Sequence, residues 1–285
     1  MEIIIGKNAG FCYGVKRAVE GAEENINENK KIYCLGEIVH NKDVVKSLEE
    51  KGITFIDEID QADGTVIIRA HGIPKEVYEQ AKKNKIDIKD FTCPKVLKIH
   101  EIAQEYANQG YYIFLTGSAK HPENIGTISY CGENYSIIET PDNVDEIIKI
   151  FEKSGIKKLL LISQTTYSVE KFKNIKEQIE NKLSKDINLV IKNTICATTK
   201  IRQEETVKIA KDVDLMIIIG GKNSSNTKKL YEISKEYCEN SILIENENDF
   251  NENILKNINK IGVMAGASTP YTTIENVIKK IKTLD

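Results

Sequence analysis

The sequence predicts three small α/β domains, each built on a parallel sheet and disposed about a pseudo-threefold centre. Three observations predict this. Short runs rich in Ile and Val alternate with longer charged, amphipathic stretches along the 285 residues. A cysteine-bearing segment recurs three times, at intervals of roughly a third of the chain. Two polar loops follow each recurrence.

The apolar runs include KIYCLG, TVIIRA, YYIFLTG, KLLLISQ, NLVIKNT, DLMIIIGG and KIGVMAG. Each has the length of a strand, and the residues between most of them suffice for a crossover helix. Such βα repetition implies parallel strands covered by helices. Right-handed crossovers then bring the C-terminal ends of all strands to one edge of their sheet.

The elements follow in order. MEIII leads into GFCYGVK (10–16), then a helix whose Val15, Val19, Ala22 and Ile26 share a face. Strands ending in GEIVHN (36–41) and RAHGIP (69–74) come next. The second corner, FTCPKVLK (91–98), precedes a helix with Val96, Ile99, Ala103 and Tyr106 on one face. TGSAKHPEN (116–124) and SQTTYS (163–168) end the following strands. The third corner, TICATTK (194–200), opens a less regular helix, and GGKNSSN (220–226) and AGASTP (265–270) are its polar loops. The expected domains are 1–92, 93–193 and 194–285. The strand within 1–11 can alternatively pair with the third domain.

Bulk properties narrow the function. A net charge of −3 and scattered basic residues argue against a nucleic-acid partner. No apolar run approaches membrane-spanning length. The start, MEIIIGKNAG, has too short an apolar run and too early an acid for a secretory leader. Six cysteines lie far apart, unlike a disulfide scaffold, so a reducing cytoplasm is the expected location.

Ligands of α/β units bind outside the C-terminal strand edge. Cys12, Cys93 and Cys196 are therefore candidate ligands at that edge. Thiolates suit zinc or an iron–sulfur cluster, and three rather than four leave a position open for chemistry. The competing reading is three ordinary buried cysteines. Cys34, Cys131 and Cys238 fit that structural reading. Gly10 and Gly14 flank Cys12, where the backbone needs a positive φ or clearance beside something bulky.

His40, His71 and His121 each fall in a strand-end loop, whereas His100 lies inside the helix after Cys93 as a core or surface residue. The loop trio can ligate zinc. Together with Ser224, Ser225, Asn226 and Ser268 it can equally hold an oxyanion. GGKNSSNT offers backbone N–H groups before a helix, which favours phosphate, although the P-loop order is missing. A compact, highly charged substrate such as a diphosphate fits these groups. Glu123 is a candidate proton donor if burial and a nearby anion raise its pKa; the alternative is a first-turn helix glutamate. Thr165 and Thr166 can orient a bound alcohol or water, or simply bond their own turn.

The stretches GFCYGVKRAV, GEIVHN, IIRAHG, DFTCP, KHPE, SQTT, TICATT, KNSSNT and AGASTP together resemble the LytB/IspH family of 4-hydroxy-3-methylbut-2-enyl diphosphate reductases. They run in the family's order over residues 10–270. The resemblance implies three α/β domains around a [4Fe–4S] cluster held by Cys12, Cys93 and Cys196. One iron would have no protein ligand and stay open to substrate. Oxygen exposure would convert the cluster to [3Fe–4S]. The resemblance further implies a diphosphate site at His40, His71, His121, Ser224, Ser225, Asn226 and Ser268. Glu123 would deliver protons, and Thr165 would contact substrate and water. The implied reaction is two-electron reductive dehydroxylation of (E)-4-hydroxy-3-methylbut-2-enyl diphosphate to isopentenyl and dimethylallyl diphosphate, the last step of the non-mevalonate isoprenoid pathway. Its electrons would come from an external donor such as ferredoxin or flavodoxin. Lys120 departs from the family's usual glycine before HPE. Two rival readings are a zinc site activating water on a phosphorylated substrate, and a non-enzymatic iron–sulfur sensor or anion-binding protein.

Overall fold

The strands are short runs of branched and long aliphatic residues, and one in each sheet is buried end to end. A parallel strand covered by helices on both faces has no solvent side, so polar alternation is absent. The computed structural model describes residues 1–26 and 30–284. The first strand is β1 (Glu2–Ile5). One sheet contains β2 (Ile32–Leu35), β3 (Ile53–Ile56), β4 (Thr65–Ile68) and β5 (Ile88–Asp90). A second contains β6 (Tyr112–Thr116), β7 (Tyr135–Ile138), β8 (Lys158–Ser163) and β9 (Asn188–Ile191). The third combines β10 (Leu215–Ile219), β11 (Ser241–Ile244) and β12 (Lys260–Ala265) with β1.

Among the described residues all strand pairs are parallel, and the three orders are equivalent: β3-β2-β4-β5, β7-β6-β8-β9 and β11-β10-β12-β1. The N-terminal strand thus occupies the place in the third sheet that β5 and β9 occupy in theirs. Glu2 to Ile5 align with Lys260 to Val263. These fourth strands are edge strands and are incompletely buried, whereas β4, β6 and β10 are buried throughout.

Among the described residues nine α-helices connect strands, and a tenth follows the last one: α1 (Tyr13–Glu24), α2 (Lys42–Glu50), α3 (Lys75–Lys83), α4 (Pro94–Asn108), α5 (Pro122–Ile128), α6 (Val144–Lys153), α7 (Val169–Lys182), α8 (Ala197–Ala210), α9 (Ser225–Tyr237) and α10 (Tyr271–Thr283). Their apolar faces supply the cores. Val19 and Ala22 of α1 and Val96, Ile99 and Ala103 of α4 are buried, in keeping with the helical spacing of the sequence. On one face of the second sheet, Tyr112, Phe114 and Phe151 pack edge to face with ring centroids 5.4 to 5.8 Å apart. Such aromatic pairs add about 0.5–1.5 kcal/mol each beyond their area. Among the described residues, no helix is long and apolar enough to cross a membrane.

Contacts divide the chain into two compact units. The first comprises Met1–Val19, Val39–Lys51 and Ala197–Asp285, and contains the third sheet. The second comprises Glu20–Ile38 and Gly52–Cys196, and contains the other two sheets. The segment Val39–Lys51, with α2, therefore groups with the C-terminal third although it lies between two strands of the first sheet.

Candidate active site

Each of Cys12, Cys93 and Cys196 immediately precedes the first residue of a helix: α1, α4 and α8. Each comes shortly after the edge strand of a sheet. The backbone N–H of each donates to the polar loop after the neighbouring strand: Cys12 to Ala267 O at 3.2 Å, Cys93 to Ala70 O at 3.0 Å, Cys196 to Thr165 O at 3.0 Å. The topology thus presents three equivalent thiols, all half-buried. Positive partial charge at a helix start favours an anionic ligand there. The other three cysteines differ. Cys34, Cys131 and Cys238 are buried, and their sulfurs bond to backbone carbonyls. Burial pushes the Cys34 and Cys131 thiols up to about 12, which makes them poor thiolate ligands. The three half-buried thiols at matched corners are soft donors of the type that iron–sulfur clusters take.

Gly10 has the positive φ that is one of the two readings of its sequence. Its φ is +95°, and a Cβ there would lie 3.2 Å from Ile274 and 3.3 Å from Thr269 O. Backbone conformation and packing within the protein account for it. Gly14 is a buried residue of α1.

The first unit gathers one polar set. Ser268 Oγ donates to His40 O at 3.2 Å. Ser224 caps α9, its Oγ accepting the Thr227 N–H at 3.3 Å. Ser225 and Asn226 form the first turn of that helix. Ser224, Asn226 and Ser268 are buried, and Ser225 and His40 are half-buried. Asn226 Nδ2 is buried with no hydrogen-bond partner. A buried donor left unpaired costs about 1–3 kcal/mol, and an acceptor placed there would recover it. Hydroxyls, an unpaired amide donor and a helix start together suit a phosphate oxygen.

The second unit gathers the acid. Its His71 and His121 rings meet edge to face, with centroids 5.4 Å apart. His121 caps α5, its Nδ1 accepting the Glu123 N–H at 3.2 Å. Glu123 is only 2 % exposed. Its Oε1 accepts the Thr165 N–H at 2.6 Å and its Oε2 accepts the Thr165 hydroxyl at 2.5 Å. Burial pushes its pKa up to about 7, opposed by the two Thr165 bonds. The carboxyl is therefore poised to hold and release a proton near neutrality. Thr165 is occupied by the acid, not by its own turn. Thr166 Oγ1 accepts from Gln164 Nε2 at 2.7 Å. Lys120 is exposed beside this loop.

His100 is core, but it is not satisfied there. It is 3 % exposed, stacks on Tyr130 at 4.5 Å, and neither ring nitrogen has a hydrogen-bond partner. Burial holds it down at about 4, against the opposing pull of Asp90.

Sequence reasoning missed a clamp on the first cysteine corner. Arg202 Nη2 donates to Gly10 O at 2.6 Å, and Glu205 accepts from the Lys7 and Asn8 backbone N–H groups at 2.7 and 3.0 Å. The signal was the irregular pattern after Cys196. Helix α8 buries Thr199, Arg202, Gln203 and Thr206 where an ordinary helix would bury aliphatics.

The LytB protein family profile matches residues 3–282. The chain belongs to the LytB family. Among its LytB relatives, the 4-hydroxy-3-methylbut-2-enyl diphosphate reductase of Clostridioides difficile is 41% identical over the full length of both chains. That of Aquifex aeolicus is 41% identical over 99% of this chain and 96% of its own. Two solved LytB-type structures are similar. One is an (E)-4-hydroxy-3-methyl-but-2-enyl diphosphate reductase described as the terminal enzyme of the non-mevalonate pathway. It is 39% identical with a TM-score of 0.70, covering 99% of this chain and 100% of that one. The other is the E-1-hydroxy-2-methyl-but-2-enyl-4-diphosphate reductase of Plasmodium falciparum. It is 35% identical with a TM-score of 0.89, covering 98% and 87%.

Proposed function

We propose that this chain is an iron–sulfur oxidoreductase that removes the allylic hydroxyl of (E)-4-hydroxy-3-methylbut-2-enyl diphosphate. Two electrons and two protons enter, the C–O bond breaks, water leaves, and isopentenyl or dimethylallyl diphosphate forms. The observation that carries the mechanism is the buried Glu123 carboxyl with both oxygens on Thr165.

Cys12, Cys93 and Cys196 would hold the cofactor, a [4Fe–4S] cluster, which would supply one-electron reduction and Lewis acidity there. The remaining chemistry belongs to the chain's own residues. Ser224, Ser225, Asn226 and Ser268, with His40, His71 and His121, anchor the diphosphate. Glu123 holds the proton and passes it through Thr165 or a diphosphate oxygen toward the departing hydroxyl. Protonation converts hydroxide, a poor leaving group, into water. Burial of the acid excludes bulk water from the transfer. An external one-electron donor such as ferredoxin or flavodoxin reduces the enzyme, which works in the cytoplasm. The three cysteine-delimited domains correspond to 1–92, 93–193 and 194–285, with β1 joined to the third.

Anaerobic turnover of the allylic diphosphate with a reduced viologen dye tests this reading. Brown protein with about four irons and four sulfides per chain is expected, together with dye oxidation and both products. Colourless protein holding one zinc would instead support the hydrolytic alternative. Brown protein without turnover would leave a sensor.

A further inference from the structure

Beside the Glu123–Thr165 contact runs a second, parallel rung made by the very next residues. Asn124 follows Glu123 on α5, and Gln164 precedes Thr165 after β8. Both are at most 1 % exposed. Asn124 Nδ2 donates to Gln164 Oε1 at 3.2 Å and to Ser118 O at 2.8 Å. Gln164 Oε1 also accepts the Ser118 N–H at 3.3 Å, and its Nε2 donates to Thr166 Oγ1 at 2.7 Å. The two amides thus tie three segments together: the loop after β6, the start of α5 and the loop after β8. Gly117 leaves them the space. A Cβ there would stand 2.4 Å from Asn124 Nδ2 and 2.6 Å from Gln164 Oε1, and its φ of +144° already disfavours other residues.

Stability alone does not account for this amide. Asn124 Oδ1 is buried with no hydrogen-bond partner. An aliphatic residue would avoid that desolvation cost of about 1–3 kcal/mol. What the amide does supply is a directional bond across the gap that Glu123 must also span. We propose that Asn124, acting through Gln164, is a positioning residue that holds Thr165 against Glu123 for proton delivery. It touches neither substrate nor cofactor.

The proposal rests on the reductase reading, and the wild-type chain tests that reading by itself: without turnover of the allylic diphosphate, the reading fails first. Given turnover, kcat, KM and urea midpoints are compared for wild type, Asn124→Leu, the milder Asn124→Ala and the double variant Asn124→Leu/Gln164→Leu. Loss of registration lowers kcat roughly ten- to a hundredfold, while KM changes less than about threefold. The double variant also takes the Gln164 partner from the Ser118 N–H and from Thr166 Oγ1, so its stability falls at least as far as that of Asn124→Leu. Its kcat stays low, because the rung is still missing. Wild-type kcat in a folded Asn124 variant overturns the proposal. So does recovery of kcat in the double variant, or an effect confined to KM.

Discussion

Glu123→Gln offers a quantitative test of the acid, independent of turnover. Its side chain is 2 % exposed, and its pKa rises from an ordinary 4.5 to about 7. Between those two values the folded chain holds a proton that the unfolded chain has released. The folded state therefore binds more protons in that window, and stability falls as pH rises through it. The stabilisation is complete below 4.5 and lost once pH passes about 7. The displacement corresponds to about 3 kcal/mol. Glutamine copies the protonated acid: its oxygen accepts the Thr165 N–H, and its amide donates to Thr165 Oγ1. It does not ionise, so its contribution is flat with pH. Urea unfolding of both chains, prepared identically without oxygen, measures the difference. Relative to wild type, Glu123→Gln gains up to about 3 kcal/mol between acid and mildly alkaline pH. A protonated-carboxyl infrared band present in wild type near neutrality and missing in the variant is the companion result. If the stability difference does not change with pH, Glu123 ionises normally and the proton-donor argument collapses.

Other outcomes follow from the same geometry. Alanine at Cys12, Cys93 or Cys196 abolishes iron retention, whereas Cys131→Ala keeps the iron and mainly lowers stability; iron and sulfide analysis with visible absorption distinguishes them. His100 is held down at about 4 from an ordinary 6.5, so stability falls as pH drops through that window, by about 3 kcal/mol in full. His100→Leu flattens that acid limb in urea midpoints, and an unaltered limb would assign it to other groups. Gly117→Ala forces a Cβ to within 2.4 Å of Asn124 Nδ2 at a φ of +144°. It costs about 2–4 kcal/mol, readable as a lowered urea midpoint, and a wild-type midpoint would contradict the packing described.

The sequence by itself determined the parallel α/β class, the threefold recurrence and the candidate side chains for the chemistry. Runs such as TVII and LMIII are apolar on both faces, and that local pattern has few other structural uses. Strand-end loops rich in His, Ser, Asn and Gly were legible for a related reason: their residues do not suit a core. Only the tertiary structure decided that β1 closes the sheet of the last third, because strand partners are set by long-range packing. The split between half-buried and buried cysteines follows the one read from the three repeated corners, and the structure added the carbonyls that the buried sulfurs contact. The structure also gave Gly10 its positive φ and its close approach to Thr269 and Ile274. Gln164 and Asn124 gave no periodic signal; their meaning lies in bonds between residues 40 positions apart. The raised pKa of Glu123 is of the same kind. A carboxylate beside proline is an ordinary helix-start residue until folding removes its water, and that desolvation is what turns it into an acid for neutral pH.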